Sequence, residues 1–125
     1  MTKQRQLIFD IIQKSPEHMN AEQIYDKAKI LMPSIAVGTV YRNLNLMTDA
    51  RQIRRIEIPG SPDRYDKNLI PHEHEICICC GKLTDLSVLG LEKTIRSAAG
   101  DSLVSYELTV QYVCEDCKVH NKNIV

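Results

Sequence analysis

Four cysteines in two C-x-x-C pairs are the residues of this 125-residue chain most committed to a chemistry. Cys77 and Cys80 lie in "CICCG", and Cys114 and Cys117 in "CEDC". Such a turn lets both thiolates reach one ion, and the following Gly81 relieves it so that backbone N–H groups face sulfur. Two such turns supply the four ligands of a tetrahedral structural zinc (Zn2+) site. The total of five cysteines is odd, and their close pairing favours metal over disulfides in a reducing compartment. Cys79 is the extra one; it falls out of the spacing and is read as filler.

His72 and His74 alternate on a strand leading into the first pair, so both point to one face. With four sulfurs filling one zinc, these imidazoles are left for another ion. A lone H-x-H fits two exposed polar residues equally well. Hard ligands nearby tip the balance, Asp66 upstream and Asp85 downstream, and His18 adds an imidazole in the first half of the chain. Imidazole and carboxylate without thiolate suit iron, manganese or zinc and leave room for an open coordination position. His72, His74 and a carboxylate resemble the facial triad of non-haem iron oxygenases, which makes an enzyme one rival reading. Against it, nothing points to a substrate cavity, and no small organic substrate is expected. A zinc-ribbon adaptor is the other rival.

Something must position these ligands. A helix follows Thr2, with Leu7, Ile8, Ile11 and Ile12 on one face, and ends before Pro16. A second has Asn20 as N-cap and Gln23 completing a capping box, with Ile24, Tyr25, Ala28 and Leu31 as its apolar stripe. Ser34 is expected to cap a third, with Val37, Val40, Leu44 and Met47 inward and Thr39, Tyr41, Arg42 and Asn43 exposed. A short strand marked by Ile53, Ile56 and Ile58, the turn "PGSPD" and a returning "RYD" make a wing. Helix-turn-helix and basic hairpin in this order favour DNA. Arg42 and Asn43 suit base edges and Tyr41 a thymine methyl, while Arg54 and Arg55, with Arg51 and Arg64, are placed to meet phosphates. Charge agrees: residues 1–65 hold ten Lys/Arg against seven Asp/Glu, a net +3, and residues 66–125 hold six against nine, a net −3. In the second half, "LEKTIRSAAG" reads as a helix and "SLVSYELTVQYV" as one strand. The fold class is α+β: a winged helix at 1–66, a hinge at 67–70 and a metal-binding lobe at 71–125. No apolar run approaches the ~18 residues that span a membrane, and the N-terminus lacks a signal-peptide layout, so no membrane is expected and the chain is placed in the cytoplasm.

The segments "HMNAEQIY", "VGTVYRNL", "RYD", "HEHEICICCGKLTDL" and "CEDC" resemble, in order and spacing, the ferric uptake regulator family across nearly the whole chain. The resemblance implies a homodimeric repressor that binds double-stranded operator DNA when a regulatory metal is loaded. It implies zinc at Cys77, Cys80, Cys114 and Cys117. It places Fe2+ or Mn2+ on His18, Asp66, His72, His74 and Asp85. Asp at both 66 and 85 looks like the peroxide-stress branch; an iron-responsive uptake regulator is the alternative. A further metal site common in iron sensors has its histidine positions at Pro71 and Tyr106, with Glu73 and Glu92 matching its acidic ones. The glycine often found before the wing is replaced, in "MTDARQI", by a different turn.

Overall fold

The computed structural model describes residues 2–69 and 73–120. The chain divides into two compact units, Met1–Ile70 and Pro71–Val125, with a different internal order in each.

The first unit runs α1 (Lys3–Lys14), β1 (Met19–Asn20), α2 (Ala21–Leu31), α3 (Val37–Asp49), β2 (Arg54–Ile56) and β3 (Arg64–Asp66). Thr2 caps α1 by accepting from the Arg5 N–H at 3.1 Å. Asn20 and Gln23 form the reciprocal capping box of α2, at 2.8 and 3.0 Å. Apolar residues at helical spacing meet in one core: Ile8 and Ile12 from α1, Ile24 and Ala28 from α2, Val40, Leu44 and Met47 from α3. Ile53, just before β2, and Tyr65 of β3 close it; the sheet has strand order β1-β3-β2, antiparallel throughout. Three helices followed by the β2–β3 hairpin make a winged helix.

Three local expectations are corrected. Leu31 is 67% exposed, because the buried stripe of α2 is Ala21, Ile24 and Ala28, and Leu31 lies beyond it. Ser34 does not cap α3. That helix begins at Val37 with Ala36 at the N-cap and no side-chain cap, since Ile35 is instead drawn into the core and its N–H bonds to the Met32 carbonyl at 2.9 Å. Val37, at the first helical position, is half exposed rather than core. Asp66 is the last residue of β3, paired opposite Arg54.

The turn before the wing explains the missing glycine. Arg51 adopts a left-handed φ of 58°. Its N–H bonds to the Thr48 carbonyl at 3.0 Å and the Gln52 N–H to the Met47 carbonyl at 2.9 Å, the two bonds of a Schellman helix end. Arginine therefore occupies the position where glycine costs nothing, at a penalty of roughly 1 kcal/mol. Arg51→Gly is expected to raise the stability of this unit by about that amount, read as a higher denaturant midpoint at unchanged m-value.

The second unit runs β4 (Glu73–Cys77), β5 (Leu83–Leu86), α4 (Leu91–Ala99), β6 (Thr109–Tyr112) and α5 (Glu115–His120). Its sheet order is β5-β4-β6, with β4 antiparallel to β5 and parallel to β6. The long strand expected after α4 shrinks to β6, because only residues 109–112 find a partner in β4. Sequence reading missed β5, whose four residues "LTDL" are too short to show a period, and the six-residue α5. Among the described residues of this unit only Cys77, His74 and Leu83 are buried, and α4 and α5 bury none. No helix of the described residues is long and apolar enough to cross a membrane.

Candidate metal centres and nucleic-acid interface

The sheet of the second unit builds the thiol cluster. β4 ends on Cys77, and Gly81, at φ 76°, turns the chain back so that its N–H reaches the Cys77 carbonyl at 2.9 Å. Parallel pairing sets Cys77 opposite Tyr112 at the end of β6, which delivers Cys114 two residues later. The Cys114 N–H then donates to the Cys77 sulfur at 3.3 Å. Cys117 follows within α5. One sulfur from each of Cys77, Cys80, Cys114 and Cys117 lies within 4.8 Å of the other three. Zinc–sulfur bonds of ~2.3 Å in a tetrahedron require sulfurs about 3.8 Å apart; Cys80 and Cys114 stand 3.8 Å apart. The donor set and spacing fit a closed structural zinc. Cys79 is exposed and outside this cluster.

Backbone N–H groups of Cys114, foremost, and of Cys80 lower the Cys77 pKa to about 5, which favours its thiolate. Cys117 is pushed the other way, chiefly by the Cys114 thiol hydrogen-bonded to it. Cys80 is also raised: burial and the Cys77 and Cys114 thiols outweigh the Lys82 backbone N–H, its largest single influence, which lowers it. Cys77 is thus favoured as thiolate, while Cys80 and Cys117 are held toward the protonated form, so a metal must displace their protons. Zinc uptake by chelated protein is expected to release protons from these two, so that affinity rises with pH. Calorimetry in buffers of different ionisation enthalpy measures the number released.

The imidazoles are each matched to a carboxylate by strand pairing. In the first unit β1 lies against β3 with Met19 opposite Tyr65, which brings His18 beside Asp66. His18 Nδ1 is 3.8 Å from Asp66 Oδ1, with both side chains largely buried. The Asn68 N–H donates to the same carboxylate at 2.9 Å. In the second unit His74 stands directly opposite Asp85 across the β4–β5 ladder, with Nε2 at 3.4 Å from Oδ1. Each pair offers one borderline nitrogen and one hard oxygen, a donor set suited to Fe2+ or Mn2+. His72 lies outside the described residues. Of the residues tied to a further metal site, Tyr106 donates its hydroxyl to Glu73 Oε1 at 3.0 Å; Pro71 is also outside the described residues.

On the winged helix, α3 presents Tyr41 and Arg42 to solvent and Thr39 partly so. Asn43 is a correction. It is only 5% exposed, its Nδ2 donates to the Thr39 carbonyl at 2.9 Å, and its Oδ1 accepts from Arg5 Nε at 3.1 Å. The side chain is held at both ends between α1 and α3 rather than exposed as expected. Arg55 is partly committed within the unit: it donates to Asn45 of α3, sits 3.7 Å from Asp63 and lies over the Tyr65 ring. Arg54 is half-buried beside it. Arg5, in the first turn of α1, is the partner that sequence reading did not link to Asn43.

A winged helix joined to a thiol-clamped α+β unit, with an imidazole–carboxylate pair in each, defines a metal-responsive DNA-binding regulator. The model of the ferric uptake regulator family matches residues 1–111. The peroxide-responsive repressor PerR of Staphylococcus epidermidis is 30% identical over 121 residues, covering 94% of this chain and 81% of that one. Among solved structures, the ferric uptake regulator of Francisella tularensis with iron superposes with a TM-score of 0.81 at 25% identity, covering 94% of this chain and 93% of that one. The Campylobacter jejuni peroxide stress regulator superposes at 0.73 with 26% identity, covering 91% and 88%. The chain belongs to the ferric uptake regulator family. It is a metal-dependent transcriptional repressor and not an enzyme, which removes the oxygenase and adaptor readings.

Proposed function

We propose that His18, Asp66, His72, His74 and Asp85 hold one regulatory Fe2+ or Mn2+, and that its binding enables a cytoplasmic homodimer to grip a double-stranded operator. The observation that carries this is the doubled imidazole–carboxylate pairing, one pair in each unit. An ion held by residues of both units favours only the arrangements in which all of them reach it, so binding shifts the population toward those arrangements. The division of labour is a winged helix at 1–66, a hinge at 67–70 and a dimerisation unit at 71–125. Thr39, Tyr41 and Arg42 face the major groove, and Arg54 and Arg55 the backbone near the wing. Dimerisation has a physical motive: β6 is an edge strand, and Leu89 and Val104 are almost fully exposed in a unit with a thin core.

Aspartate at both 66 and 85, together with the peroxide-responsive relatives, supports peroxide as the signal. Iron at the site would supply reducing chemistry toward peroxide. The chain supplies the oxidisable group: His18 or His72 gains one oxygen atom while the other peroxide oxygen leaves as water. An oxidised imidazole is a poorer donor, so the site loosens and DNA is released. Mass spectrometry of iron-loaded protein after peroxide is expected to show one added oxygen on a peptide containing residue 18 or 72, and none on manganese-loaded protein. No oxygen at any ligand histidine rejects peroxide sensing and leaves the iron-responsive reading. Gel shifts with Mn2+ and with chelator test metal dependence separately; binding indifferent to metal rejects the whole scheme.

A further inference from the structure

Asn43 was expected at the DNA and is buried; the group it holds is the informative one. Arg5 sits in the first turn of α1, and its Nε donates to Asn43 Oδ1 at 3.1 Å. The Asn43 amide is itself oriented by its 2.9 Å bond to the Thr39 carbonyl, so its oxygen has to face the guanidinium. One bond at Nε fixes the plane of the guanidinium and leaves its four terminal N–H groups for another acceptor. No ion pair joins Arg5 to a carboxylate among the described residues, whereas Arg55 and Arg96 each have one. The first turns of α1 and α3 contain no acidic residue either. A half-buried cation steadied by a neutral amide keeps its full charge for a partner. On α3, Asn43 is one turn from Thr39, and Arg42 is the next residue around the helix, so Arg5 extends the solvent-facing surface that those two begin.

We infer that Arg5 contacts a phosphate of the DNA backbone and that Asn43 is its positioning residue. The inference rests on the chain being a DNA-binding repressor. A phosphate contact fixes how α3 is seated without reading sequence, so it acts on any duplex. Its signature is electrostatic: each neutralised phosphate releases counter-ion and contributes about 0.9 to the slope of log affinity against log salt.

The test uses manganese-loaded full-length protein and a random-sequence duplex, with binding followed by fluorescence anisotropy across a KCl series. Arg5→Gln removes one contact from each protomer of the dimer, and is expected to weaken binding at least about tenfold at low salt and to reduce the salt slope by about 1.8. Arg5→Lys keeps the charge but loses the oriented Nε bond, and is expected to keep the slope with a smaller loss. Asn43→Ala is expected to weaken binding roughly threefold, since Arg5 remains but is no longer held in place. Wild-type affinity and slope in Arg5→Gln would overturn the assignment. So would a slope lost equally in Arg5→Lys, because the effect would then be packing rather than charge. Failure of the wild type to bind any duplex would instead reject the repressor reading, so the two failures remain distinct.

Discussion

Replacing Cys77 with serine is expected to empty the zinc site and unfold residues 71–125. Among its described residues the second unit has little core of its own. Its described residues bury only one aliphatic side chain, Leu83, together with Cys77 and His74. A unit this small lies in the range where a core alone is marginal and a metal staple decides folding. Structural zinc sites contribute roughly 10–16 kcal/mol of apparent binding free energy at neutral pH, far more than such a unit's net stability. Cys77 is also the sulfur that the Cys114 N–H approaches, so its loss removes both a ligand and the contact joining the two turns. The measurements are zinc per chain by elemental analysis and thermal unfolding by circular dichroism. The winged-helix unit, with its own closed core, should retain a separate transition. Cys79→Ser serves as control and should leave zinc content unchanged, since that thiol lies outside the cluster. Full zinc retention in Cys77→Ser would contradict the assignment.

His74→Ala is expected to abolish manganese-stimulated operator binding while leaving zinc in place. Residues that merely support a metal ligand already cost 10–100-fold in affinity, on the order of 1.4–2.7 kcal/mol. Loss of a ligand should exceed that range. His74 is 3% exposed and faces Asp85 across the ladder, so its removal also leaves that carboxylate without its imidazole neighbour. His18→Ala should act alike from the other unit. One shared ion makes the two losses non-additive, since either substitution already disables the site; two independent sites would give additive effects. Manganese titrations of the single and double variants, with zinc measured in parallel, distinguish these outcomes.

The helical half was legible because its signals are local. The Asn20–Gln23 capping box depends on residues three apart, and the stripe of Ile8, Ile11 and Ile12 on helical period. Both formed as expected. Ser34 failed as a cap for a reason no local pattern carries: burying Ile35 in the tertiary core shifted the start of α3 to Val37. Asn43 failed similarly. Its position on the helix was right, but exposure depends on what packs opposite, and Arg5 is 38 residues away.

What the chain's residues determine unaided is the ligand inventory: two C-x-x-C turns with the geometry of a thiolate metal site, imidazoles and aspartates of borderline and hard character, and the helices and wing that bear a basic surface. These are set by spacing within a few residues, where backbone stereochemistry leaves few options. Tertiary structure decided which groups meet: β4–β6 register brought Cys114 to Cys77, β4–β5 register set Asp85 on His74, and β1–β3 pairing set His18 beside Asp66. It also turned Asn43 from a candidate base reader into the support of Arg5 and placed Arg51 in a conformation suited to glycine. Such partnerships depend on strand register and helix packing across tens of residues, and a one-residue slip would exchange every one of them.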